Sequence, residues 1–310
     1  MKVTRRAPYD LLPLALFLLG CPRSPPAPPP ASPRAARGPD AASAPALPAL
    51  QVSAACGTLP AGSVCMEGGV AQLGWHAPDA RFAEGPPRAA RLRAFALDAR
   101  EVTAGQWRAC VAAGGCPPMG CEAPDEAPAR CVSWSEARAY CAARRGRLPT
   151  EAEWERAAAG LLPDHRPYAW GESAPIPDAS APADMTPEGV YDLAGSVAEW
   201  VEDGGDFYPP LPRLPDPDAA ALTDAVAAPD GALADAATDD LPPQTESGLF
   251  LFDDPRGPAR SPWRIARGGD AALPLARRGN TLRRFRRPAD RLPWLGLRCA
   301  YDVPGPAPAP

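Results

Sequence analysis

Nine cysteines constrain this chain more than any other feature of its 310 residues. One, Cys21, closes an apolar leader. The other eight, Cys56, Cys65, Cys110, Cys116, Cys121, Cys131, Cys141 and Cys299, form an even set along the rest of the sequence. An even set in an exported chain reads as four disulfides, and the residues alone leave open the 105 pairings that eight cysteines admit. Zinc is the competing reading for Cys110 to Cys131. The intervals there of five, four and nine intervening residues lack the tight Cys-x2-Cys pairs of structural zinc.

Export is read from residues 1–21: Lys2, Arg5 and Arg6 form a cationic start, and Leu11 to Gly20 an apolar core. Leu18-Leu19-Gly20-Cys21 resembles a bacterial lipoprotein box, which implies acylation of Cys21 and a stable anchor carried by two or three acyl chains. Residues 22–50 are Pro, Ala and Ser with few charges, a composition too poor in apolar surface to fold. Extended at about 3.1 Å per residue, such a tether would reach roughly 90 Å. Residues 303–310 read as a short disordered tail. The location implied is a membrane surface facing the periplasm or the cell exterior.

Composition removes several classes of function. The chain has 32 Lys+Arg against 37 Asp+Glu, a net charge of -5, and Lys2 is its single lysine, which argues against a nucleic-acid partner. No apolar run reaches the roughly 18 residues of a membrane span. Two histidines, His76 and His165, are too few and too far apart for a His-based metal site. With 45 Pro and 27 Gly, a helix-rich fold is excluded.

Residues 56–302 are long enough for a globular core. Three helices have legible ends. Thr103 caps one running to about Ala113, with Trp107, Cys110 and Val111 on one face. Ser133-Trp134-Ser135-Glu136 is a capping box for a second, with Trp134, Ala137, Tyr140 and Cys141 inward and Gly146 as its stop. Thr150-Glu151-Ala152-Glu153 opens a third, with Trp154, Ala157 and Ala158 inward and Gly160 as its stop. Short apolar pieces such as Arg91 to Leu97 and Trp263 to Ala266 predict strands. The stretch of about 203–262, rich in Pro and Asp, reads as an insertion, and the segment after it, Trp263 to Arg298, carries ten arginines. Pairing of those arginines with core carboxylates and with the acidic insertion is the simpler expectation; an anionic-ligand patch is the alternative.

One motif makes the sequence less anonymous. Arg147-Leu148-Pro149-Thr150-Glu151-Ala152-Glu153-Trp154-Glu155 resembles the central signature of the formylglycine-generating enzyme, or sulfatase-modifying factor, family. Further matches follow in order. They are Glu101-Val102-Thr103, Val132-Ser133-Trp134, Tyr168-Ala169-Trp170-Gly171, Gly189 to Gly195, Glu199-Trp200, Arg267-Gly268-Gly269 and Gly296-Leu297-Arg298-Cys299-Ala300. The resemblance implies an α+β, C-type-lectin-like fold with little regular structure, held by disulfides. It also implies that Cys141 is joined to Cys299, closing a loop of about 157 residues, worth somewhat under 5 kcal/mol in the chain-entropy model. Cys56-Cys65 and pairs among Cys110, Cys116, Cys121 and Cys131 would then be local additions.

Active members of that family oxidise a client cysteine to formylglycine with oxygen and a copper(I) ion held by two cysteines, a ligand type that suits the soft metal. By position after the glycines, those cysteines would fall at Leu273 and Arg278, and Asp270 replaces the usual serine. Copper is therefore not expected. A branch that uses iron and three histidines is excluded by the histidine count. Calcium is expected through a hard-oxygen loop: the resemblance maps its ligands onto the side chains of Asp192 and Glu199 and the backbone carbonyls of Gly195 and Val197. The function implied is a binding or assembly module at the envelope, acting on a protein or glycan ligand. The alternative is an oxidoreductase acting on protein cysteine through an unrecognised site.

Overall fold

The computed structural model describes residues 56–75, 84–171, 184–208, 211, 242–273 and 279–304. The leader, Cys21, the tether and most of the tail lie outside the described residues.

Chain order is β1 (Ser63–Met66), β2 (Gly69–Leu73), β3 (Arg88–Leu92), β4 (Phe95–Asp98), α1 (Ala104–Ala112), α2 (Trp134–Ala143), α3 (Glu151–Ala159), β5 (Ala198–Gly204), β6 (Leu251–Asp253), β7 (Arg264–Arg267), β8 (Arg283–Arg286), β9 (Leu295–Gly296) and β10 (Ala300–Asp302). The strands form three small sheets, ordered β1-β4-β10, β2-β3-β6 and β8-β7-β5-β9. This is an α+β fold in which most of the chain is loop.

The apolar piece Arg91 to Leu97, expected as one strand, is divided between two sheets. Met66 pairs with Phe95 in one and Gly69 with Leu92 in the other, so a long antiparallel ribbon turns a corner at 67–68 and 93–94. Gly68 makes the corner possible, because a Cβ there would lie 2.9 Å from the Ala94 amide nitrogen and 3.0 Å from the Leu92 carbonyl.

The helices start where their caps place them. Thr103, Ser133 and Thr150 each accept the N–H three residues on, while Gln106, Glu136 and Glu153 reach back to the cap's own N–H. One core gathers Trp107, Tyr140, Trp200 and Leu297; a second gathers Phe95, Trp154, Val201 and Ile265. Trp107 stacks on Tyr140 with centroids 5.1 Å apart.

Four disulfides staple this frame: Cys56–Cys65, Cys110–Cys116, Cys121–Cys131 and Cys141–Cys299. Three are local clips. The fourth joins α2 to the residue before β10 across a separation of 158 residues, the one whose removal releases most chain entropy on unfolding.

The Pro/Asp-rich stretch is not a separate insert throughout. Asp203 and Gly204 belong to β5, and Leu251–Asp253 forms β6, which adds to β3 in parallel. Residues 209–210 and 212–241 lie outside the described residues.

Candidate functional site

α3 is buried on every side: all nine of its residues, including Glu151, Glu153, Glu155 and Arg156, are inaccessible. Four charged groups tolerate that burial only because each is paired. Glu151 and Glu155 stand one turn apart and so face the same way. Arg267 on β7 and Arg283 on β8 are direct partners in the ladder, and both reach α3. Arg283 clamps Glu151 through Nε at 2.5 Å and Nη2 at 2.9 Å. Arg267 bridges the two carboxylates, 3.1 Å from Glu151 and 2.7 Å from Glu155. Its Nη1 and Nη2 also donate to the carbonyls of Thr281 (3.2 Å) and Asn280 (2.8 Å), while its Nε is buried without a partner. The second Glu155 oxygen accepts the Gly74 N–H at 2.7 Å. Two cations and two carboxylates leave this cluster neutral.

Beside the cluster lies a cavity of about 350 Å³, lined among others by Leu73, Arg88, Glu151, Phe207, Tyr208 and Phe252. The Tyr208 ring is sandwiched between guanidinium groups, Arg283 at 4.0 Å and Arg88 at 4.4 Å from its centroid. Phe207, 50% exposed, stands at the mouth. Asp203 underpins the wall by accepting the N–H groups of Glu151 (2.6 Å) and Gly257 (2.5 Å). Burial, with the Glu151 charge second, pushes its carboxyl up to about 6. Much of the wall comes from 203–208 and 252–258, the described ends of the Pro/Asp-rich stretch.

The loop expected to hold calcium is built around a guanidinium instead. Glu199 is fully buried and receives Arg298 in bidentate fashion, Nε and Nη2 each at 2.7 Å, and the Trp154 indole N–H at 2.8 Å. Arg298 also donates to the carbonyls of Asp98 and Tyr191. Asp192, in left-handed backbone at φ 64°, pairs with Arg100 at 3.1 Å. Gly195 is half-buried in the same loop, and the Val197 N–H donates to Glu101 at 3.0 Å. Burial first and the neighbouring Glu199 charge second push the Glu101 carboxyl up to about 8. Each expected side-chain ligand thus already has a cation, and Arg298 would repel a second one beside Glu199. Among the described residues no group of three His, Cys, Asp or Glu is placed to hold a metal ion. Asp192, Gly195, Val197 and Glu199 lie along one loop and the start of β5, with both carboxylates already engaged by arginines.

The Arg267-Gly268-Gly269 turn presses against α3. Gly268 has φ 84°, and a Cβ there would come within 2.6 Å of the Leu193 carbonyl and 3.0 Å of Trp154. Asp270, next in sequence, is buried and accepts Arg284 at 2.7 Å and the Ala272 N–H at 2.9 Å. Leu273 is half-buried, and Arg278 lies outside the described residues. All eight cysteines from Cys56 to Cys299 are in disulfides, so none offers a thiolate to Cu(I).

These features define a family. The Sulfatase-modifying factor enzyme 1-like domain matches residues 49–303, and the chain belongs to that family. It is 30% identical over 210 residues to the inactive C-alpha-formylglycine-generating enzyme 2 of Bos taurus, covering 44% of this chain and 69% of that protein. It is 29% identical over 216 residues to the formylglycine-generating enzyme of Thermomonospora curvata, 46% of this chain and 71% of that one. A third relative, the serine/threonine-protein kinase pkn1 of Chlamydia caviae, is 43% identical over 90 residues, which span 25% of this chain and 14% of the kinase. Among solved structures, PvdO from Pseudomonas aeruginosa shares the fold at a TM-score of 0.54 and 20% identity, covering 78% of this chain and 94% of its own.

The cavity itself was not foreseen from the sequence. Phe207 and Tyr208, side by side at the start of a proline-rich run, were the available signal, since adjacent aromatics with little apolar context suggest contact rather than core.

Proposed function

We propose that this chain is a non-catalytic member of its family, anchored to a membrane through Cys21 and acting as a binding or assembly module at the cell envelope. The observation that carries this reading is the fate of the thiols: every cysteine of the domain is tied in a disulfide, and Leu273 occupies a position where a copper ligand is expected. Four disulfides favour an oxidising compartment outside the cytosol. The relative named inactive supports a loss of activity within the family. The cavity beside Tyr208 supports recognition, because it combines an apolar wall with a few fixed charges.

The test is site-specific photo-crosslinking in whole membranes, with a photoreactive residue at Phe207 and, as control, at exposed Glu122. A discrete adduct from Phe207 alone, formed equally with copper chelated and oxygen excluded, is the expected result. An adduct that requires copper or oxygen would return the oxidoreductase reading. Membrane partition of Cys21→Ser tests the anchor, and the expected result is release into the soluble fraction.

A further inference from the structure

The β7–β8 hairpin carries two sets of arginines. Arg267 and Arg283 point toward α3 and are neutralised there. Arg264 and Arg286 are direct partners in the same ladder, and Arg284 stands opposite Ala266, so these three share the other face. Like charges directly opposite on a sheet are destabilising unless something compensates them. Little does. Arg284 has Asp270 at 2.7 Å, whereas Arg264 and Arg286 form no ion pair among the described residues. Their Nη1 groups donate to backbone carbonyls, of Glu202 at 3.4 Å and of Phe285 at 2.7 Å. Of the nearby carboxylates, Glu202 holds Arg138 through one oxygen while its other is buried without a partner, Glu136 holds Arg291, and Asp290 accepts the Arg287 N–H.

Three donors in this cluster are buried without a hydrogen-bond partner: Nε of Arg264, Nε of Arg286 and Nη2 of Arg284, whose side chain is only 10% exposed. Buried polar groups are normally satisfied, and three unsatisfied donors on like-charged neighbours leave a local need for acceptors. The guanidinium groups are also held in place. Arg264 lies 4.0 Å above the Trp134 ring, and Arg284 and Arg286 both lie against Trp294, 4.7 and 4.8 Å from its centroid. Stacked, pre-oriented forks lose little side-chain entropy on engaging a ligand. Burial, with the Arg284 charge second, lowers the Arg286 pKa, as the shortage of negative charge requires.

We propose that Arg264, Arg284 and Arg286, braced by Trp134 and Trp294, form a binding site for a doubly charged tetrahedral oxyanion, the group carried by phosphate and sulfate esters. None of the five residues lines the cavity beside Tyr208, so this is a second recognition surface. Guanidinium forks match such oxyanions through paired N–H···O bonds, and an oxyanion here would supply the counter-charge that Arg264 and Arg286 lack among the described residues.

The experiment is a thermal-shift and calorimetric titration of the full chain with inorganic phosphate, sulfate and acetate, each against chloride at matched ionic strength. The site predicts saturable stabilisation and measurable heat with phosphate or sulfate, and much weaker effects with acetate; the stronger of the first two identifies which ester it takes. Salting-out stabilisation by these anions rises without saturating and acts on every variant, so it is separable. Arg264→Gln and Arg286→Gln, checked for native circular dichroism, should each weaken binding about tenfold or more. Arg93→Gln, at a mostly exposed side chain in the corner between β3 and β4, should not. Absence of calorimetric heat with the wild type, or equal binding by the Arg286→Gln variant, overturns the proposal. If a variant misfolds, the wild-type calorimetry alone decides.

Discussion

On the β7–β8 hairpin, side chains one residue apart meet opposite fates. Arg267 and Arg283 are buried against Glu151 and Glu155, and every charge on that side has its counter-charge within 3.1 Å. Arg264, Arg284 and Arg286 have a single ion-paired carboxylate among the described residues, that of Asp270 on Arg284. Residue type alone therefore does not distinguish scaffold from surface. What separates the two sets is the period-2 geometry of the strand, which sends alternate guanidinium groups to a helix rich in carboxylates or to a face with few.

The largest effect should come from breaking the neutral face. Arg267→Met leaves Glu155 fully buried and unpaired, and denaturant unfolding should show a loss of about 3–5 kcal/mol. If that variant unfolds like the wild type, the inward set is not structural and the comparison fails. Next, Cys141→Ala should cost about 2–5 kcal/mol by the same measurement, because it opens the long covalent loop while leaving both arginine faces intact.

Titration of Asp203, which joins the buried cluster to the cavity, gives a smaller effect. Its carboxyl titrates near 6 in the folded protein against an ordinary 3.8, so the native state retains a proton that the unfolded chain releases. The stability contributed by this group is therefore full at low pH and declines as pH rises from about 4 to about 6. His165 acts oppositely: burial, then Arg166, push it down to about 4, so its contribution grows with pH between about 4 and 6.5. The Asp203 effect is best read as the difference between wild type and Asp203→Asn, which should shrink as pH rises through that window. A flat difference would place Asp203 in a solvated setting. The smallest effect concerns Glu199: with Arg298 already on it, added calcium should leave the melting temperature unchanged, and a saturable rise would show that the loop admits the ion after all.

How much of this was legible in the sequence depended on how local the signal was. The three helix starts could be read because a capping box lies within four residues, and Thr103, Ser133 and Thr150 cap where their side chains dictate. Sheet partners could not, since pairing is set by contacts far apart in the chain; the piece Arg91 to Leu97 looked continuous, and only the corner at Gly68 divides it. Full burial of α3 was hidden for a related reason. Nothing within the helix marks Glu151 and Glu155 as buried; β7 and β8, more than 100 residues later, bring guanidinium groups to them. The calcium pattern shows what residue types leave open: at Asp192 and Glu199 a positive charge is already supplied by Arg100 and Arg298, which the local pattern does not show.

The central proposal is that the domain has kept the family frame and given up its oxidative chemistry, because every described cysteine is held in a disulfide. It is tested most directly by loading the purified protein with Cu(I), measuring bound metal, and following a Cys-x-Pro-x-Arg peptide by mass spectrometry for conversion of its cysteine to an aldehyde. The account predicts no stoichiometric copper and no aldehyde. One copper per chain together with aldehyde product would contradict it.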